Sequence, residues 1–240
     1  MSGHSKWATI HRKKGLIDAE RGKIFQKIAK ELYVAAKGTD GNPDTNPGLR
    51  VVVEKARSNN MPKDNIVKAI EKAVGAGSGE EYESIRYEGY GNGGVAIMLD
   101  CLTDNRNRTA MLVRSTLTKR GGNLGTDGSV SYIFERKGVI VIEKEKVDED
   151  TAMMACLDSG ALDFLTNDES YEIYTKSEDF IKVKEALEGL GVNEFITSEV
   201  TYVANNLIEL DEDSTNKNMA LIEALEDIDD VQNVYHNLSI

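Results

Sequence analysis

The chain has two cysteines, three prolines, three histidines and one tryptophan in 240 residues. Each scarcity excludes something. Cys101 and Cys156 lie far apart in apolar segments without a C-x-x-C spacing, so neither a disulfide framework nor a zinc site is indicated. His4, His11 and His236 have no metal-ligand spacing and no adjacent nucleophile signature, so a catalytic constellation is hard to assemble, and no catalytic residue, metal or cofactor is expected. No apolar run is long enough to cross a bilayer. A secretory signal is also missing. The first 17 residues contain no acidic side chain, as in an organelle transit peptide, but they lead into a predicted helix. A cytoplasmic protein without a membrane or small-molecule partner is the expectation.

Acidic groups outnumber basic ones by 41 to 29, but the excess is unevenly placed. Residues 1–78 carry a net charge of +7 and the remainder -19. Attraction to a polyanion depends on local potential, which salt screens over about 8 Å. A low overall isoelectric point therefore does not exclude nucleic acid. The basic groups in question are Lys6, Arg12, Lys13, Lys14, Arg21, Lys23, Lys27, Lys30 and Lys37.

Residues 17–37 have helical periodicity, with Ile17, Ile24, Phe25, Ile28, Leu32 and Ala35 on one side and Lys23, Lys27, Lys30 and Lys37 on the other. A second helix is predicted from Pro47 and a third from Pro62, with "SNNM" between them. This pair has the outline of a helix-turn-helix with Lys63, Asn65 and Lys68 toward a groove, an outline that any helical hairpin shares. Residues 1–78 thus read as a helical bundle, followed by the linker "GAGSGEE".

Beyond the linker, two strands joined by "GYGNGG", a helix over "RNRTAMLVRSTLTK" and a strand over "SVSYIF" give a β-β-α-β run. A second unit is predicted from Gly138: strand "VIVIE", helix 148–157, strands 163–166 and 171–174, helix 178–190 and strand 194–203. That order is ferredoxin-like. A remaining strand, "NLIELD", a helix over 215–225 and a strand over "VQNVYHNL" have no place in it and are available to complete the preceding unit.

"GYGNGG" satisfies G-x-G-x-x-G, but a dinucleotide site needs a helix after the loop, and "VAIMLD" reads as a strand. The segment reads as a hairpin turn; a nucleotide-dependent enzyme using the Gly89 to Gly94 loop is the third-ranked alternative. "TDNRNRT" opens a second basic island of Arg106, Arg108, Arg114, Lys119 and Arg120, with Asp104 or Asn105 as helix cap. The loop "GGNLGTDG" has backbone N–H groups to offer phosphate but no Lys-Ser/Thr ending. "EDIDD", residues 226–230, reads as a solvated helix end.

Several of these stretches, "GHSKW", "RGKIF", "NNMP", "YEGYG", "LTDNRNRT", "KRGGNLG", "GSV" and "DDVQNVYHN", together resemble the YebC/PmpR family of regulatory proteins, which includes the mitochondrial translational activator of cytochrome oxidase. The resemblance implies an α+β protein of three domains: a helical bundle, then two α/β sandwich domains, the third ferredoxin-like and inserted into the second. The corresponding divisions are 1–78, 79–136 with 204–240, and 137–203. It also implies a non-enzymatic regulator, binding DNA in some members and acting with the ribosome in others. DNA is the leading expected partner, with rRNA or tRNA the alternative. Family members often have proline where this turn has Asn92, and proline there would stiffen the turn.

Overall fold

In the computed structural model, residues 17–75 and 81–240 are described. The helical part comprises α1 (Ile17–Ala36), α2 (Pro47–Ser58) and α3 (Lys63–Gly75). Ile28, Leu32 and Ala36 recur one turn apart on α1 and are fully buried with Leu49, Val53, Ala56, Ile66 and Ala73. This spacing is why α1 forms where its pattern predicts it. The start of α2 is fixed by Asn46, whose Oδ1 accepts from Leu49 N at 3.0 Å while its Nδ2 donates to Ala35 O at 2.8 Å. One cap therefore ends one helix and begins the next. Pro62 lies just outside α3 rather than at its first position, its carbonyl accepting from Asn65 and Ile66.

The first sheet follows: β1 (Glu83–Tyr90), β2 (Ala96–Thr103), helix α4 (Arg106–Lys119) and β3 (Asn123–Leu124). The second begins with β4 (Phe134–Glu143), then α5 (Glu149–Asp158), β5 (Ala161–Thr166), β6 (Ser170–Lys176), α6 (Phe180–Gly189) and β7 (Thr197–Ala204). The chain ends with α7 (Glu212–Glu226) and β8 (Val231–His236), and β8 joins the first sheet, whose order is β3-β1-β2-β8. The second sheet, ordered β5-β6-β4-β7, is thus inserted between elements of the first, and its β-α-β-β-α-β succession is ferredoxin-like. Two compact units result. One contains residues 17–75, 81–129 and Asn216–Val234; the other contains Val130–Thr215 and Tyr235–Ile240. No described helix is long and apolar enough to cross a membrane.

Three expected strands are corrected. "SVSYIF" is not a strand of the first sheet: Ser131–Ile133 is a 3-10 turn, and Phe134 opens β4, which also contains "VIVIE". Gly138 lies inside that strand rather than before it, and a Cβ there would press on Phe180. The strand "NLIELD" reduces to a single parallel bridge, Ile208 to Leu238. In its place the first sheet takes β3, two residues paired with Gly89 and Tyr90.

"GYGNGG" joins two antiparallel strands through a 3-10 turn at Asn92–Gly94, so no helix N-terminus follows the glycines. The turn is held from α7. Asn92 N donates to Asn218 Oδ1 at 2.9 Å, Asn218 Nδ2 donates to Asn92 O at 3.0 Å, and Asn92 Nδ2 donates to Arg120 O at 3.0 Å. Proline at 92 would supply neither donor. This chain therefore fixes by hydrogen bonds a turn that proline would fix by stiffness.

Both cysteines are buried, Cys101 on β2 and Cys156 on α5. Burial pushes the Cys101 thiol up to about 12, helped by Asp100, and burial alone pushes Cys156 up to about 11. Thiolate is the reactive form, so at pH 8 neither should react with an aromatic disulfide reagent until the protein unfolds. Mass spectrometry of the labelled native protein checks this. Rapid modification of either thiol would contradict the packing.

Candidate nucleic-acid interface

The lysines of α1, Arg108 from the second basic island and one acidic motif, separated in sequence by up to about 200 residues, meet at the turn between α7 and β8. Lys23, Lys27 and Lys30 share one side of α1 because they are spaced by four and three residues. Lys23 Nζ lies 2.8 Å from Asp227 Oδ1, and Lys27 Nζ donates to Glu226 O at 2.7 Å. Lys30 Nζ donates to Asp229 O and to Asp230 Oδ1, both at 3.0 Å.

Asp230 is the buried centre of the arrangement, with its side chain 3% exposed. Besides Lys30, its carboxylate accepts from Arg108 Nη2 at 2.8 Å and from Thr109 Oγ1 at 2.8 Å. Its backbone carbonyl accepts from Leu102 N at 2.8 Å. Asp230 thereby ties α1, α4 and β2 to one turn. Burial raises its pKa, but the hydrogen bonds from Arg108, Lys30 and Thr109 outweigh burial and hold it below the ordinary carboxylate value. Arg108 is shifted upward by its hydrogen bonds to Asp230 and Asp104.

Residues 226–230 are therefore a solvated helix end only in part: Asp227 and Asp229 are exposed, whereas Asp230 is buried. Their position was hidden because nothing local pairs with them. A cleft of about 630 Å³ beside them is lined by Lys30, Arg108 and Leu112 together with Asp104, Asp227, Asp229 and Asp230. Four carboxylates against two cations make it unsuited to an anion as it stands.

The other expected contact residues divide in three. Lys6, Arg12, Lys13 and Lys14 lie outside the described residues. Arg21 is exposed on α1, and Lys37 follows its C-terminal end half-buried. Arg106, Arg114, Lys119 and Arg120 are exposed on α4 and at its C-terminus, where no ion pair with them forms among the described residues. Only Arg108 of that island joins the α1 lysines. Asn105, not Asp104, caps α4, accepting from Arg108 N at 3.0 Å.

Two N–H groups of the "GGNLGTDG" loop turn inward to Glu88. Gly125 N donates to Glu88 O at 2.8 Å and Gly128 N to the buried Glu88 Oε1 at 2.9 Å. It therefore does not offer these two donors to phosphate. The exposed Lys63, Asn65 and Lys68 lie on α3. Among the described residues no cluster of His, Cys, Asp and Glu could hold a metal ion.

A helical bundle followed by a first sheet interrupted by a ferredoxin-like insertion, with its C-terminal turn clamped by lysines of the bundle, defines an α+β protein of tripartite design. Residues 5–76 match the model of the TACO1/YebC protein N-terminal domain, and residues 82–238 match the TACO1/YebC second and third domain. The chain belongs to the TACO1/YebC family. It is 53% identical over 240 residues to a "probable transcriptional regulatory protein" of Geobacillus kaustophilus, covering 99% of this chain and 97% of the relative. A protein of the same description from Clostridium botulinum is 52% identical over 238 residues, covering 99% and 96%. The crystal structure of a conserved hypothetical protein from Aquifex aeolicus superposes with a TM-score of 0.80 at 43% identity, covering 92% of this chain and 91% of that one.

Proposed function

We propose that this protein is a non-enzymatic cytoplasmic regulator of transcription that binds DNA through the basic side chains of its N-terminal part. The observation that carries the reading is the row of Lys23, Lys27 and Lys30 along one side of α1, next to a sequence segment that adds Lys6, Arg12, Lys13 and Lys14. The names of the relatives support it. In this reading residues 1–78 form the binding domain, while 79–136 with 204–240 and 137–203 form acidic α/β domains that limit indiscriminate binding. Arg106, Arg114, Lys119 and Arg120 supply additional phosphate contacts.

Lysine-to-phosphate contacts release counterions, giving a slope of about -0.9 per phosphate in log K against log salt on duplex DNA. Lys23→Ala, Lys27→Ala and Lys30→Ala combined should reduce that slope by about 2 to 3, measured by fluorescence anisotropy on a labelled duplex. An unchanged slope removes α1 from the interface. Crosslinking in cells followed by sequencing tests the target itself: recovery of rRNA or tRNA without DNA would replace the transcription reading with a ribosomal one.

A further inference from the structure

The lysines assigned to phosphate are already in contact with oxygens of their own chain. Along α1, Lys23, Lys27 and Lys30 each face an oxygen of residues 226–230, two of these oxygens belonging to carboxylates. The contacts are graded. At one end the Lys23–Asp227 pair is open to water, with side chains 48% and 65% exposed. At the other, Asp230 is buried and held independently by Arg108, Thr109 and the Leu102 N–H. Such an arrangement keeps the turn in place through Asp230 while leaving Lys23 exchangeable, because an exposed ion pair is weak and screened by salt; Lys27, part-buried, holds only the backbone carbonyl of Glu226.

We propose that the acidic turn at residues 226–230 is an autoinhibitory contact: it competes with nucleic-acid phosphates for the lysine row of α1, and a polyanion binds by taking Lys23 and Lys27 away from it. This regulation rests on the reading of α1 as a nucleic-acid-binding helix. Duplex DNA presents one negative charge per about 1.7 Å of axis, a denser array than the carboxylates of the turn, so the exchange favours DNA at low salt. Against weakly charged partners the turn keeps its lysines. The acidic motif thus acts as a threshold, admitting only ligands with several closely spaced phosphates.

The test uses the full chain and a labelled mixed-sequence duplex. Asp227→Asn with Asp229→Asn removes two charges from the turn and retains Asp230, so the buried anchor persists. Asp150→Asn with Glu185→Gln makes the same change in net charge at exposed positions of the second unit and serves as the control. The turn variant is expected to bind at least about five-fold tighter than both wild type and control, with the difference shrinking as salt is added. Adding Lys23→Ala to the turn variant should abolish most of the gain. Equal affinity of turn variant and control, with wild type binding DNA, overturns the autoinhibition and leaves the binding reading intact. If none of the proteins binds duplex DNA or RNA, the binding reading fails and the autoinhibition fails with it.

Discussion

Asp230→Ala is expected to lower the free energy of unfolding by about 3 kcal/mol, read from urea denaturation at pH 7. The variant leaves Lys30, Arg108 and Thr109 without their shared acceptor at a site where the carboxylate is 3% exposed. Removing one partner of a buried ion pair typically costs about 3 to 5 kcal/mol. The lower end applies because the side chains of Lys30 and Arg108 are 21% and 42% exposed and can recover water. The same residue gives stability a pH dependence of known sign. Its folded pKa lies below the unfolded value, so its contribution is complete above the unfolded pKa of about 3.9 and is lost as pH falls through the folded pKa. Asp230→Asn should therefore flatten the acid limb of the stability curve below about pH 4. A wild-type acid limb in Asp230→Asn would mean that other carboxylates control it.

Asn218→Ala is expected to cost about 2 to 3 kcal/mol in the same measurement. Asn218 is fully buried on α7 and satisfies both the N–H and the C=O of Asn92. Alanine leaves two backbone groups short of partners and a void where the amide was. The neighbouring Gly91 makes the effect specific, because a Cβ there would collide with Asn218 Oδ1. Gly91→Ala should thus destabilise the wild-type chain by about 1 to 3 kcal/mol and cost clearly less in the Asn218→Ala background. Strict additivity in that double-mutant cycle would contradict the packing of turn against helix.

The elements that the sequence reveals are those whose cause is local. Residues 28, 32 and 36 sit on one helical face, Pro47 follows a capping Asn46, and the glycines of "GYGNGG" join two strands. The elements that escape it depend on distant partners. β3 is two residues long and exists because β1 offers an edge to Asn123 and Leu124. "SVSYIF" has the alternation of a strand, yet its first part turns and only Phe134 enters β4.

The candidate site divides in the same way. Helical periodicity aligned Lys23, Lys27 and Lys30, and that alignment holds. It gave no hint that the far end of the chain lies against them. "EDIDD" looked solvated because its cations are about 200 residues away, and Arg108 stood in a basic island whose other members point to no shared partner. A useful signal was present nonetheless: four carboxylates in five residues, in a chain with a lysine row, are charge-complementary.

Lysine footprinting tests the central claim most directly. Wild-type protein is acetylated with and without saturating duplex DNA, and modification at each lysine is quantified by mass spectrometry. Lys23 and Lys27 should become protected when DNA is bound, and neutralising Asp227 and Asp229 should increase the reactivity of Lys23 in the free protein. Unchanged reactivity of both lysines in a fully DNA-bound sample would contradict it.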